Sequence, residues 1–220
     1  MSHPKITAWS YSRYNEYATC PRKSFYKVIQ RLKEPGSPAM DRGTTIHKMA
    51  ENYVLGGGPL PAELALFADE FKELRKQKAA PEKEWCFTKD WVLTAWLAPD
   101  AWCRIKTDAY ALLKRGAVAR VIDYKTGKVR PEHKDQLSLY ALATFLVFSK
   151  VEQVDAELWY LDQGPPIVSK TFKRESLPEL VNWWSHKVIP MLNDTEYCAN
   201  PNYLCRYCHF RKANGGPCEF

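Results

Sequence analysis

Two acids and a lysine carry the strongest chemical signal in this 220-residue chain. In the run VIDYKTGK, Asp123 and Lys125 stand two residues apart. On a strand that spacing puts both on one face, with Ile122 and Tyr124 on the other. Gly127 then turns the chain, which leaves the pair near the end of the sheet. Asp108, in RIKTDAYALL, sits on the preceding strand-like run, and a short hairpin can set it across from Asp123. Two carboxylates bearing on one spot repel each other unless a cation lies between them. A divalent ion fits, because Mg²⁺ takes carboxylate and carbonyl oxygens plus waters. A lysine on the same face polarises the attacking water or stabilises charge developing on a phosphate. Taken alone, Asp-x-Lys is usually a solvated strand or a surface ion pair, and Asp108 adds only modestly to the catalytic reading.

Two further pairs have helical spacing. His47 precedes Glu51 by four residues, so both can share a helix face. Its readings are a metal ligand, a phosphate contact, or a partly buried hydrogen-bonded histidine. Gln136 and Tyr140 are also four apart, on the helical run after the Gly127 turn. They read as a helix face of mixed polarity, or as a pair that orients a nucleic-acid strand or the lysine.

The seven cysteines are 20, 86, 103, 198, 205, 208 and 218, with four of them in the last 23 residues. An odd total argues against a purely disulfide framework. Cys205-x2-Cys208 followed by Cys218 gives three thiols in a short stretch, and the fourth ligand of a metal site would come from Cys198, His209 or a distant cysteine. Spacing alone does not choose the ion. Cys86 and Cys103, in strand-like runs beside tryptophans, read as ordinary core residues.

These residues need a frame. Ser10 caps a helix carrying Tyr11, Tyr14 and Tyr17, and Cys20-Pro21 breaks or restarts it. A loop at Glu34–Pro38 leads to a helix from Gly43 to Val54, stopped by three glycines, and a second helix runs from Pro61 to about Lys76. Strands are predicted at 84–89, 91–97, 102–114, 118–126, 154–161 and 167–172, with a helix over 133–148 and another over 176–192. The tail, 193–220, shows no period. Alternation of helices and strands predicts one α/β domain over 1–220: a helical part at 1–76, a sheet-and-helix core at 82–192, and a cysteine-rich tail at 193–220. Trp183-Trp184 is expected to put one ring in the core and one at its edge.

Composition narrows the partners. Lys plus Arg is 32 against 25 Asp plus Glu, a formal charge of +7, and 45% of residues are hydrophobic. This excludes a fibrous or wholly disordered chain and favours a polyanionic partner. No run reaches the roughly 18 apolar residues of a membrane span, and MSHPKITAWS lacks a signal core, so a cytoplasmic protein without a membrane partner is expected, in the host cytoplasm if phage-encoded. Basic residues are in excess in 13–42 and in 104–134. Phosphate contacts from such runs are independent of sequence and sensitive to salt. Tyr14, Tyr17, Phe25 and Tyr26 are candidates for base stacking, although aromatic residues at helical spacing are more often core.

In combination, GTTIHKMAE, RIKTDAY, VIDYKTG and QLSLY resemble the RecB/Cas4-like branch of the PD-(D/E)XK nuclease superfamily, in order and in spacing across residues 43–140. The resemblance implies a restriction-endonuclease-like α/β core, a central mixed sheet flanked by helices with a cysteine-rich C-terminal metal clip. It implies Mg²⁺ or Mn²⁺ held by His47, Asp108, Asp123 and the backbone carbonyl of Tyr124. Lys125 would serve the attacking water, with Gln136 and Tyr140 completing the catalytic set. Cas4 and the AddB nuclease domain hold a [4Fe-4S] cluster with one early and three late cysteines; Cys20, Cys205, Cys208 and Cys218 match those positions, with Zn²⁺ as the alternative. The implied activity is hydrolysis of DNA phosphodiesters, by an exonuclease more than an endonuclease, on ends or single strands. It would serve recombination, repair or phage or CRISPR DNA processing, beside a helicase, recombinase or CRISPR adaptation partner. A non-catalytic, metal-stapled DNA-binding protein is the competing reading, and a zinc-stapled protein adaptor explains the tail but not the middle.

Overall fold

The computed structural model describes residues 2–220. They fall into two compact units: Pro38–Trp183, and the segment up to Ser37 together with Trp184–Phe220.

Pro38–Trp183 is built on a six-stranded mixed sheet of order β2-β1-β3-β4-β5-β6. Its strands are β1 (Ala80–Phe87), β2 (Leu93–Thr94), β3 (Cys103–Leu113), β4 (Val118–Lys125), β5 (Gln153–Tyr160) and β6 (Val168–Lys173). In β3, every second residue from Cys103 to Ala111 is buried, the period-2 signature of a strand with one face on a core. β4 is buried almost throughout, as its central place between β3 and β5 requires. The β4–β5 pair is parallel and the others are antiparallel. A parallel pair needs a crossover, supplied by the helix His133–Val147. That helix is buried at nine positions between Gln136 and Phe145, so its apolar run covers more than one stripe.

Two helices, Pro38–Val54 and Ala68–Lys76, join the short 3₁₀ segment Ala62–Phe67 to cover the sheet. Ile46, Ala50, Leu64, Phe67, Phe71 and Leu74 pack with Ile122, Tyr124 and Trp159 in one buried cluster. The Phe71 ring lies 5.4 Å from that of Tyr124 and 5.2 Å from that of Trp159. Truncating a fully buried ring such as Phe71 to alanine costs about 3–5 kcal/mol. This packing supports the helix that carries His47 and the strand that carries Asp123 and Lys125.

The terminal unit joins the chain's two ends. Ser10 caps the helix Tyr11–Thr19 by accepting from Arg13 N at 3.3 Å, and Pro21 opens the turn Pro21–Ser24 after an extended Cys20. Thr19 O accepts from the side chains of Asn200 and Asn202 at 3.1 and 3.3 Å. Tyr197 donates to Pro4 O at 2.8 Å, and the rings of Tyr26 and Phe210 are 5.3 Å apart. Cys218 N donates to Phe210 O at 2.7 Å. A side chain at Gly216 would meet the Phe210 backbone at 2.2 Å, so only glycine allows that close approach.

Several expected boundaries move. The first sheet-covering helix begins at Pro38, five residues before Gly43, because a proline suits a first helical turn. The run 61–76 divides into a 3₁₀ segment and an α-helix. The expected strand 91–97 shrinks to Leu93–Thr94: turns closed by Trp91 N→Thr88 O and Ala98 N→Ala95 O take its ends, and Trp91 has φ +59°. The last helix breaks into Leu177–Lys187 and Ile189–Asn193, the second with a proline in its first turn. Trp184 is fully buried while Trp183 is 38% exposed, and Cys86 and Cys103 are buried. Phe25 and Tyr26 are buried too, which removes them as base-stacking platforms. Among the described residues no helix is long and apolar enough to cross a membrane.

Candidate active site

The antiparallel register of β3 on β4 runs from Leu113–Val118 to Ala109–Ile122. One step beyond, the ladder ends and a side chain takes over: Tyr124 N donates to Asp108 Oδ2 at 2.6 Å. The other carboxylate oxygen, Oδ1, lies 3.0 Å from His47 Nδ1. Asp108 is thus anchored from the sheet on one side and from the helix Pro38–Val54 on the other. Burial pushes its pKa up; the His47 bond opposes this and the nearby Asp123 charge adds to it. Burial alone would lower the His47 pKa, but the hydrogen bond and charge of Asp108, then the charge of Asp123, carry it up. The pair therefore holds a proton more firmly than either group would alone.

Asp123 and Lys125 share a face, as their spacing requires. The Lys125 ammonium stands 2.7 Å from Asp123 Oδ2 and donates to Gln136 Oε1 at 2.8 Å. Gln136 turns its amide nitrogen to Asp123 Oδ1 at 3.0 Å and to the Tyr140 hydroxyl at 2.6 Å. Tyr140 in turn donates to Asp123 Oδ1 and lies 3.1 Å from Lys106 O. Gln136 and Tyr140, one helical turn apart, thereby hold both the acid and the lysine. Asp123 is 6% exposed, Gln136 8% and Tyr140 2%, so these are bonds in a low-dielectric interior, where partnered polar groups fix one geometry. Burial drives the Tyr140 pKa up, with the Asp123 charge next, which keeps the phenol protonated as a donor.

Asp123 Oδ2 differs from its neighbours. It is buried and, despite the nearby ammonium, has no partner in hydrogen-bonding alignment. That ammonium pairs with Oδ2 by charge, and the carboxylate keeps lone pairs that can accept from a metal ion as well. Asp108, Asp123 and the Tyr124 carbonyl offer hard oxygen donors, and His47 adds an imidazole, a set that suits Mg²⁺ or Mn²⁺. Among the described residues no three His, Cys, Asp or Glu side chains are gathered into a ready cage. Mg²⁺ does not require one, since it is commonly bound through one or two carboxylates and keeps several waters.

An open cleft of about 490 Å³ leads to Asp108, lined by His47, Lys48, Glu51, Glu82 and Lys106 among others. Gly43, in the second turn of the helix Pro38–Val54, lets it come close to the end of β4: a side chain there would meet Thr126 Oγ1 at 3.2 Å. Sequence reasoning missed the clasp that fixes the following turn. Gly127, with φ +90°, donates to Asp162 Oδ2 at 2.7 Å, and Arg42 grips Asp162 with both guanidinium arms, at 2.9 and 2.5 Å. Nothing local marks Asp162, because its partners lie 35 and 120 residues away in sequence. Part of the expected basic surface is also spoken for: Lys23 and Lys27 pair with Glu16 and Glu34.

In the terminal unit, Cys20, Cys205, Cys208 and Cys218 all line one largely apolar cavity of about 200 Å³. Cys198 is exposed, is absent from that lining, and has its thiol 3.8 Å from Glu196 Oε2.

Comparison with known proteins agrees with this frame. No curated protein matches the sequence. Among solved structures, a protein of Eubacterium rectale carrying the provisional name exonuclease superposes with a TM-score of 0.50 at 14% identity, over 95% of this chain and 87% of that one, and shares the fold. The crystal structure of SSO0001 matches at a TM-score of 0.45 and 16% identity, over 94% of this chain and 85% of the other. Residues 8–109 and 106–213 match the PD-(D/E)XK nuclease superfamily, and with its restriction-endonuclease-like mixed sheet the chain belongs to that superfamily and is a nuclease.

Proposed function

We propose that the protein is a divalent-metal-dependent DNA exonuclease of the RecB/Cas4-like kind, acting in recombination, repair or phage or CRISPR DNA processing. The observation that carries this reading is the buried, unaligned Oδ2 of Asp123 beside Asp108 and Lys125. Asp108, Asp123, the Tyr124 carbonyl and His47 would hold Mg²⁺ or Mn²⁺. Bound there, the ion supplies positive charge against a phosphodiester and makes a nucleophile available from water near neutral pH. Lys125 keeps its ammonium at the reacting phosphate, where it offsets the charge gained as water attacks. Gln136 and Tyr140 fix that ammonium and the Asp123 carboxylate in one arrangement, so little reorganisation accompanies the reaction. A protein that only binds DNA gains nothing from two inward carboxylates, which repel phosphates unless a cation neutralises them.

The cysteine cavity supports a structural [4Fe-4S] cluster held by Cys20, Cys205, Cys208 and Cys218. Cys20, Cys205, Cys208 and Cys218 line one cavity, and Zn²⁺ on the same thiols is the alternative. In this proposal the cluster ties the C-terminal tail to the N-terminal helices, and the whole chain works as one nuclease domain in the cytoplasm. Unwinding of duplex ends would fall to a helicase or another processing partner.

The test uses end-labelled linear DNA, single- and double-stranded, beside covalently closed circles, with Mg²⁺, Mn²⁺ or EDTA. Shortening of the linear substrates only, abolished by EDTA, is expected. Cutting of circles would convert the reading to an endonuclease, and undiminished cleavage in EDTA would overturn the metal dependence.

A further inference from the structure

A second polar pair adjoins the lysine and plays no part in the network above. β5 runs parallel to β4, and Tyr160 is the direct partner of Lys125 in that register. The Tyr160 hydroxyl accepts from Arg130 N at 3.4 Å and stands 2.9 Å from His133 Nδ1. The two rings lie nearly parallel, at 16°, with centroids 6.0 Å apart. His133 opens the crossover helix, three residues before Gln136, so it shares a face with the residue whose carbonyl holds Lys125. Two independent routes, one through the sheet and one along the helix, thus place the imidazole beside the lysine.

The surroundings of the Tyr160 hydroxyl favour one tautomer of His133. Tyr160 is 3% exposed, and a buried phenol needs an acceptor for its proton. Among the described residues the acceptor within reach is His133 Nδ1. With the phenol donating, Nδ1 carries no proton and the ring's hydrogen sits on Nε2. Burial, then the charge of Lys125, lowers the His133 pKa, so the ring stays neutral near pH 7. No protein partner is found for Nε2 among the described residues, which leaves a fixed, uncharged donor at the first turn of a helix, where the peptide dipoles also favour an anion.

We infer that His133 is a phosphate-binding residue of this nuclease, donating from Nε2–H to a backbone phosphate of the strand drawn onto Lys125, with Tyr160 as the positioning residue that sets its tautomer. The inference rests on the nuclease reading of the Asp108, Asp123 and Lys125 site. The plain alternative is that the ring merely packs on Tyr160 and steadies the 127–132 turn. A phenylalanine keeps the ring packing but leaves the Tyr160 hydroxyl without its acceptor, so His133→Phe is read beside Tyr160→Phe, which removes that hydroxyl.

Steady-state and single-turnover cleavage of linear DNA would be measured with the full chain and Mg²⁺ for wild type, His133→Phe, His133→Gln, Tyr160→Phe and Lys125→Ala. His133→Phe keeps the stack and loses the donor; kcat/KM is expected to fall about ten- to a hundredfold, the worth of one hydrogen bond to a charged group. The loss should lie mainly in KM, and the dependence of kcat/KM on salt should keep its wild-type slope, because a neutral donor displaces no counterion. His133→Gln places an amide donor near the Nε2 position and should recover part of the loss. Tyr160→Phe frees the tautomer and should fall between wild type and His133→Phe. His133→Phe within twofold of wild type, beside an inactive Lys125→Ala, would overturn the inference and leave the nuclease reading intact. Equal losses in His133→Phe and His133→Gln would overturn the donor role. A wild type that cleaves nothing would remove both readings.

Discussion

The sheet unit and the terminal unit assemble their functional side chains in opposite ways. In the sheet unit, Asp123, Lys125, Gln136 and Tyr140 are bonded to one another, and Asp108 is held by His47 and Tyr124 N. In the terminal unit, four cysteines line one cavity and none forms a disulfide. The contrast follows from polarity. A buried carboxylate must be partnered at all times, so its site is organised by the fold itself. A thiol behaves as a small apolar group, so four of them can line a cavity whose final order depends on what binds there. Substitutions in the first region should therefore act on turnover, and those in the second on stability.

The largest expected effect is on the lysine. Lys125→Ala should slow single-turnover cleavage by about a thousandfold, the order seen when one preorganised charge-stabilising donor is lost. Circular dichroism should keep the wild-type spectrum, which would separate chemistry from folding.

The cysteines should give the reverse pattern. Cys205→Ala should remove bound iron and its visible absorption and lower stability by about 3 kcal/mol, the linkage expected of a tightly bound group. Cys198→Ser should change neither iron content nor melting temperature, because Cys198 is exposed and outside the cavity. Equal effects from the two substitutions would erase the distinction between the thiols.

Tyr140→Phe blurs the contrast usefully, because it removes one donor from a buried carboxylate that still keeps Gln136. A loss of about 1–2 kcal/mol in stability is expected by chemical denaturation. Cleavage should slow by about tenfold, the kinetic equivalent of about 1.4 kcal/mol.

The smallest effect belongs to Asp194 in the terminal unit. Burial works to raise its pKa, but hydrogen bonds from the backbone of Tyr197 and Glu196 and from Tyr17 hold it below the usual aspartate range. A carboxyl depressed in the folded state contributes stability above its unfolded pKa and loses it as pH falls through the folded value. Asp194→Asn should therefore cost about 1 kcal/mol at pH 7 and progressively less as pH falls through the depressed folded value, which thermal melts at neutral and acid pH would show.

Much of the sheet unit was legible in the sequence. Period-2 alternation marked β3, and the Asp123-x-Lys125 spacing placed both side chains on one face. The i, i+4 spacing of Gln136 and Tyr140 marked the helix face that holds them. The Asp162 clasp on Gly127 was not legible, because it is made by residues remote in sequence. The run 91–97 misled for a different reason. Its apolar, strand-like composition is overridden by two turns, and Val92, Leu93 and Leu97 end up exposed. In the tail, cysteine spacing left the fourth ligand open. Cys20, Cys205, Cys208 and Cys218 line one cavity that Cys198 does not, a relation no local pattern contains.

The central claim is that Asp108 and Asp123 hold a divalent ion that Lys125 serves in cleaving DNA. Mn²⁺ binding, followed by electron paramagnetic resonance in wild type, Asp123→Asn and Lys125→Ala, with cleavage measured in the same samples, tests it most directly. Bound Mn²⁺ and cleavage are expected in wild type, loss of both in Asp123→Asn, and retained Mn²⁺ without cleavage in Lys125→Ala. Undiminished Mn²⁺ binding and cleavage in Asp123→Asn would contradict it.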